Sequence, residues 1–167
     1  GTTRAPVYMN LFHDLDFMFN NNYVFKNRYL GEEGYFSSQG RAHPNRIWES
    51  NFVSDCREFK LKEWQERGAG GSTIYFELSN NIQIAHVSEF PVGTYKKAHR
   101  HGPGAHIIVL SGQGYSLMWP QAGKRLKIDW QKNTVFAVVD KWFHQHFSTG
   151  KEPGRIMSFS EERSVKY

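Results

Sequence analysis

Five of the eight histidines fall in two short clusters. The first runs Gly93-Thr94-Tyr95-Lys96-Lys97-Ala98-His99-Arg100-His101-Gly102-Pro103-Gly104-Ala105-His106 and is followed by Gly112-Gln113-Gly114; the second reads Trp142-Phe143-His144-Gln145-His146-Phe147. Imidazoles two positions apart on a strand share a face, about 7 Å from each other, and can grip one ion. Gly102-Pro103-Gly104 reads as a turn that returns the chain so that His106 points back toward the same interior. His144 and His146 form a second same-face pair. A barrel that brought these strands together would hold a three- or four-histidine site. A lone His-x-His is more often two surface residues. Two such pairs, with a Gly-Pro-Gly turn and a further histidine between them, make metal binding the stronger reading. Neutral imidazole suits Fe, Zn, Cu and Ni alike, so the cluster alone does not name the ion.

The elements that must carry these histidines read as short strands. Thr73 to Leu78 is one; Ile82, Ile84 and His86 alternate in a second. Tyr95, Lys97, His99 and His101 are expected on one face of a third, and His106, Ile108 and Leu110 on one face of a fourth. Tyr115–Trp119, Leu126–Trp130, Val135–Val139, Trp142–Phe147 and Arg155–Phe159 complete the series. Short strands at this spacing, separated by turn residues, predict an antiparallel barrel or jelly roll. Composition changes near Gly68-Ala69-Gly70-Gly71, which divides the chain into an N-terminal extension, residues 1–70, and a barrel, residues 71–167. The extension is rich in Asn, Phe and Tyr. Asn20, Asn21 and Asn22 interrupt its aromatic set, which argues against one long helix. Short helical turns and extended pieces packing on the barrel or on a partner are expected there.

Composition bounds the function classes. The chain has 167 residues, enough for one core without disulfide or metal staples. A bound ion is therefore expected to serve chemistry rather than folding. The net charge is +5, but the Lys and Arg residues are scattered and no nucleic-acid motif accompanies them. Cys56 is the single cysteine, so no intramolecular disulfide forms. No apolar run is long enough to span a membrane. With no targeting signal visible, a cytoplasmic location is the expectation.

With these residues in place, the stretch 90–150 resembles the two motifs of the cupin superfamily. Gly93, His99, His101 and Gly112 fit the first motif, and His144 fits the single ligand of the second. The likeness is closer to gentisate-type ring-cleaving dioxygenases, through His99-Arg100-His101, Ala105, Gly112-Gln113-Gly114 and Trp142-Phe143-His144-Gln145-His146. That resemblance implies a mainly β fold, a cupin antiparallel β-barrel (jelly roll), with His99, His101 and His144 as metal ligands and His146 beside the site. Two departures stand out. The position of the cupin Glu is His106, either a fourth ligand or a pocket residue touching substrate or bound oxygen. Val138-Val139-Asp140-Lys141 replaces the usual proline before the second-motif histidine. Stretches such as Trp48-Glu49-Ser50-Asn51-Phe52 and Trp64-Gln65-Glu66-Arg67-Gly68 also look like the second half of uncharacterised bacterial two-cupin proteins. The resemblance therefore points to a homo-oligomer or to pairing with a second cupin barrel.

The chemistry expected is that of a mononuclear metal enzyme, with Fe(II) favoured and Mn, Ni, Zn or Cu as the other candidates. The leading expectation is an Fe(II) dioxygenase that takes O2 and a small hydroxylated aromatic or dicarbonyl compound. His146 and His106 are its candidate acids or bases, since imidazole titrates near neutral pH. A non-oxidative Zn or Ni lyase, isomerase or cyclase is the second expectation, and a non-enzymatic metal-stabilised binding domain the third. Among the other residues, Tyr95, Lys97, Tyr115 and Trp130 are weighed as pocket linings, with packing the commoner role. Arg100 should point outward. His86 is read as a core histidine that reaches the pocket floor only in the rarer case, and His13 and His43 as surface residues. Gly112-Gln113-Gly114 lacks the lysine and helix of a phosphate loop. The aromatics around Asn20–Asn22 suit an interface.

Overall fold

The computed structural model describes residues 39–50, 52–68, 70–78 and 84–160. His13, Ile82 and the aromatic stretch around Asn20–Asn22 lie outside these. Twelve strands are present among the described residues: β1 (Gly40–His43), β2 (Ile47–Ser50), β3 (Lys62–Glu63), β4 (Ser72–Leu78), β5 (Ile84–Phe90), β6 (Tyr95–His99), β7 (Ala105–Ser111), β8 (Gln113–Trp119), β9 (Leu126–Gln131), β10 (Val135–Val138), β11 (Phe143–Ser148) and β12 (Gly154–Ser160). The nine strands expected from alternation correspond to β4–β12. Three-residue helix Gln65–Arg67 follows β3. Two sheets result. The larger has the order β1-β2-β4-β5-β12-β7-β10 with β3 paired to β4, and the smaller has the order β6-β11-β8-β9.

Period-two alternation sets what lies between the sheets. Ala105, Ile107 and Val109 on β7 are buried while His106, Ile108 and Leu110 are less so. The same pattern buries Met118, Trp130, Phe136, Val138, Phe90 and Ile156, which pack into one core drawn from both sheets. At about 25 cal/mol per Å² of apolar surface removed from water, this shared face is the main favourable contribution to holding the sheets together. Phe90 and Trp130 meet edge to face, ring centroids 6.2 Å apart, an arrangement favoured by the ring quadrupoles.

The outer face of the larger sheet is also covered. Ile74, Phe76 and Val87 are buried there beneath Trp48, Val53, Cys56, Phe59 and Leu61. Phe59 sits edge-on to Phe76 at 4.9 Å and to Trp48 at 5.5 Å. Arg155 ties this covering segment down. Its guanidinium pairs with Glu89 at 2.9 Å and donates to the carbonyls of Cys56 and Phe59. β2 runs parallel to β4, so residues 40–63, within the stretch read as an extension, add strands to the barrel's own sheet.

Candidate metal centre

β6 and β11 carry the site. They pair antiparallel with His144 opposite His99 and His146 opposite Lys96. Between these pairs Gln145 alone on β11 faces two residues on β6, Lys97 and Ala98, a bulge in the ladder. The bulge changes which side chains of β6 face inward. Lys96 and His99 are partly enclosed, whereas Tyr95 and Lys97 are exposed. The expectation that Tyr95 and Lys97 share the histidine face is corrected: strict alternation fails across the bulge. Gly102-Pro103-Gly104 makes the expected turn. A Cβ on Gly104 would stand 2.4 Å from the Val138 carbonyl oxygen, so the turn can lie against β10 only as glycine.

His99, His101 and His144 converge, with one nitrogen of each within 4.8 Å of the others. Their ring centroids are 5.7, 4.3 and 5.0 Å apart. The second nitrogen of each is committed. Nδ1 of His99 lies 2.9 Å from the Lys97 carbonyl oxygen, that of His101 3.0 Å from the Pro103 oxygen, and that of His144 3.2 Å from the Trp142 oxygen. A carbonyl only accepts, so each Nδ1 carries the proton and each Nε2 presents a lone pair. Such backbone contacts hold ligand histidines in one tautomer and orientation. Burial, with repulsion from His144, lowers His99 to about 2; burial lowers His144 to about 4. His99 and His144 are thus neutral at physiological pH. Three converging lone pairs repel one another and fit a cation, and the all-nitrogen donor set suits Fe, Ni, Cu or Zn.

These rings open on a cavity of about 210 Å³. Its wall includes His146, His86, Lys96, Arg67, Tyr75 and Ser158, with Ala105, Ile107, Val138 and Ile156 as apolar patches. His146 is buried, and its Nδ1 lies 2.7 Å from Ser116 Oγ, which accepts from Trp130 Nε1 at 2.9 Å. Burial first, then the nearby Lys96, holds His146 well below the usual histidine range. His86 reaches the cavity with Ile84 and packs on Tyr75 at 4.9 Å, so it takes the floor position rather than the core one. Burial, then Lys96 and Arg67, also keeps it neutral.

His106 is the main correction. It pairs with Ala137 on one side and Phe159 on the other, and Phe159 is opposite Ala85. That row belongs to the outer face of the sheet, where Ala85 packs with Ile74, Phe76 and Val87. The neighbouring row, His86, Ser158 and Ile107, faces the cavity. His106 thus lies on the face away from the cavity and outside the three-histidine group. The turn at Gly102–Gly104 returns the chain with Ala105, not His106, inward.

Other residues fall as follows. Tyr115 stacks on Phe147 at 4.6 Å, away from the cavity lining, and Trp130 is core. Arg100 is exposed with its guanidinium over Phe143 at 4.9 Å, yet it also lines the cavity. His43 pairs with Glu49 at 2.6 Å, away from the site. Sequence reasoning missed Lys96 and Arg67. The bulge that turns Lys96 inward has no local signature, and Arg67 arrives through a contact distant in sequence. Gly68, φ +146°, passes so close to β6 that a Cβ would stand 2.1 Å from the Tyr95 carbonyl oxygen. That approach brings the Gln65–Arg67 turn against the strand carrying Lys96. Burial and then Arg67 lower Lys96 to about 7.

Comparison with solved structures assigns the fold. A cupin 2 conserved barrel domain protein from Rhodopseudomonas palustris aligns at TM-score 0.50 and 17% identity over 59% of this chain and 66% of that one. The cupin domain of Schizosaccharomyces pombe Cnp3 aligns at 0.50 and 16% over 63% and 69%. Oxalate decarboxylase of Bacillus subtilis, a protein with Mn(II) centres, aligns at 0.56 and 16% over 65% of this chain and 29% of that one. This chain spans just under two thirds of the first and less than a third of the last. No family model matches the chain, and no curated protein matches it. Among the described residues, no helix is long and apolar enough to cross a membrane.

Proposed function

From a cupin barrel that aims three imidazoles into a small cavity, we propose that this chain is a mononuclear metal-dependent enzyme. Fe(II) is its resident ion, and it joins O2 to a small hydroxylated aromatic or dicarbonyl compound. The observation that carries the reading is the convergence of His99, His101 and His144, each oriented by a contact between its Nδ1 and a backbone carbonyl. When bound, the ion supplies Lewis acidity and a redox centre with positions open to substrate and O2. The protein does the rest. Ala105, Ile107, Val138 and Ile156 keep part of the cavity apolar and limit water. His146, held by Ser116 through Nδ1, is placed on the cavity wall to take or return a substrate proton. The volume, below the roughly 300–1,000 Å³ of pockets for drug-sized ligands, restricts the substrate to a small molecule. The likeness of His99-Arg100-His101 and Trp142-Phe143-His144-Gln145-His146 to gentisate-type dioxygenases supports the same chemistry.

The test is metal content of freshly purified wild type and His99→Ala by inductively coupled plasma mass spectrometry, followed by O2 uptake. Near-stoichiometric iron is expected in the wild type and loss of most of it in the variant. Uptake of O2 with catechol-like, gentisate-like or diketone compounds is then expected to match product formed. A second reading is a Zn or Ni enzyme without O2, a lyase, isomerase or cyclase. The all-imidazole donor set favours it, since Zn and Ni use imidazole readily as Lewis acids. Turnover that survives strict anaerobiosis would select the second reading over the first.

A further inference from the structure

The cavity has a charge imbalance that the metal reading does not use. Lys96, Arg67 and Arg100 all line it, and no Asp or Glu does so among the described residues. Arg100 is engaged at the rim with Phe143 and Gln121. Lys96 is different. The bulge in β6 turns it inward, level with His146 across the ladder. Its ammonium donates to Ser88 Oγ at 3.0 Å. Ser88 Oγ lies 2.9 Å from Thr73 Oγ1, and the Thr73 hydroxyl donates to the Val87 carbonyl at 2.8 Å. Thr73 has one hydrogen and spends it there, so Ser88 donates to Thr73 and accepts from Lys96. Thr73 and Ser88 are both buried. This relay fixes Lys96 with one hydrogen engaged and two left for a cavity ligand.

Arg67 stands behind it. The guanidinium is stacked on Trp64 at 4.5 Å, which restrains it, and Gly68 seats its turn against β6. Two positive groups in one small enclosure are unfavourable unless an anion joins them. A divalent ion on three histidines, in the reading proposed above and on which this inference rests, adds to the imbalance. We infer that the substrate carries a carboxylate and that Lys96, with Arg67 beside it, is the specificity-determining group that holds it. Carboxylate oxygens accept well from an ammonium, and a charge-assisted bond of this kind distinguishes an acid from its amide.

The experiment is isothermal titration calorimetry on the full chain with its metal content measured. The probes are oxalate, pyruvate and 2-hydroxybenzoate, each against its uncharged amide. At least one acid is expected to bind roughly 10- to 100-fold more tightly than its amide, the range of one charge-assisted hydrogen bond. Lys96→Met should remove that preference while metal content and amide binding stay as in the wild type. Lys96→Arg should keep more of it than the Met variant. Arg67→Gln should weaken acid binding several-fold, and it serves as the test if Lys96→Met fails to fold. Equal binding of acid and amide overturns the inference, as does acid affinity unchanged in both Lys96→Met and Arg67→Gln, or no acid bound at all. A wild type that takes no metal but keeps a Lys96-dependent acid preference sinks the metal-enzyme reading and leaves this one standing. Stoichiometric metal without acid preference does the reverse.

Discussion

The barrel interior is built in two ways. At one part Phe90, Val109, Met118, Trp130 and Phe136 pack against one another. At the other, His86, Lys96, His99, His144 and His146 surround a cavity that could have been filled with apolar side chains. Both use the same strands: β11 presents His144 and His146 from its inner face, and β8 presents Ser116 and Met118 from its own. The first arrangement stabilises the fold, while the second costs burial of polar groups. Stability concentrated in one half allows the other to keep a set of polar groups around a cavity. Ser116 joins the halves, since it accepts from Trp130 and meets His146.

Three measurements would break or sharpen this contrast. The largest effect is expected from Phe90→Ala, at 2% exposure in the apolar half. It should cost about 3–5 kcal/mol of stability in urea unfolding, yet leave metal content unchanged in the folded protein. Metal loss in that variant would mean the halves are not separable. Ser116→Ala comes next. It leaves Trp130 Nε1 and His146 Nδ1 without their shared partner, at roughly 1–3 kcal/mol, and should shift the pH profile of turnover without removing metal. The smallest effect is the acid sensitivity of the metal-free protein. Burial lowers His144 to about 4 in the fold, from an ordinary value of 6.5. As pH falls below 6.5 the unfolded chain binds that proton first. Stability is therefore full above pH 6.5 and declines toward pH 4, by an amount of order 1–2 kcal/mol at pH 5. Thermal melts of chelated and metal-loaded protein at pH 7 and pH 5 would check it, with the loaded form expected to fall less.

Much of this was legible before any coordinates. Alternation located β4 to β12, because a strand with one buried face writes its period into residues such as Ala105, Ile107 and Val109. The two histidine clusters were legible because their spacing and the Gly-Pro-Gly turn are local features, and the choice of His99, His101 and His144 among them came from the cupin resemblance. What failed was parity across irregularities. The bulge in β6 exchanged Lys97 for Lys96 on the inner face, and the turn at Gly102–Gly104 set His106 on the outer one. Register of this sort is decided by the partner strand, which a linear reading does not contain. Arg67 was invisible for a related reason: it reaches the cavity through a contact between the Gly68 segment and Tyr95.

The latch formed by Arg155 has a practical consequence for anyone cutting or recombining this gene. The glycine-rich stretch at 68–71 looks like a natural seam, but the guanidinium of Arg155, far along the chain, grips carbonyls on the other side of it, at Cys56 and Phe59. A fragment begun at that seam would lose the cover over Ile74, Phe76 and Val87, leave a buried charge short of partners, and discard Arg67 with it. The smallest portable unit therefore starts at or before residue 40, and a chimera joined at the seam would inherit a barrel with one sticky side.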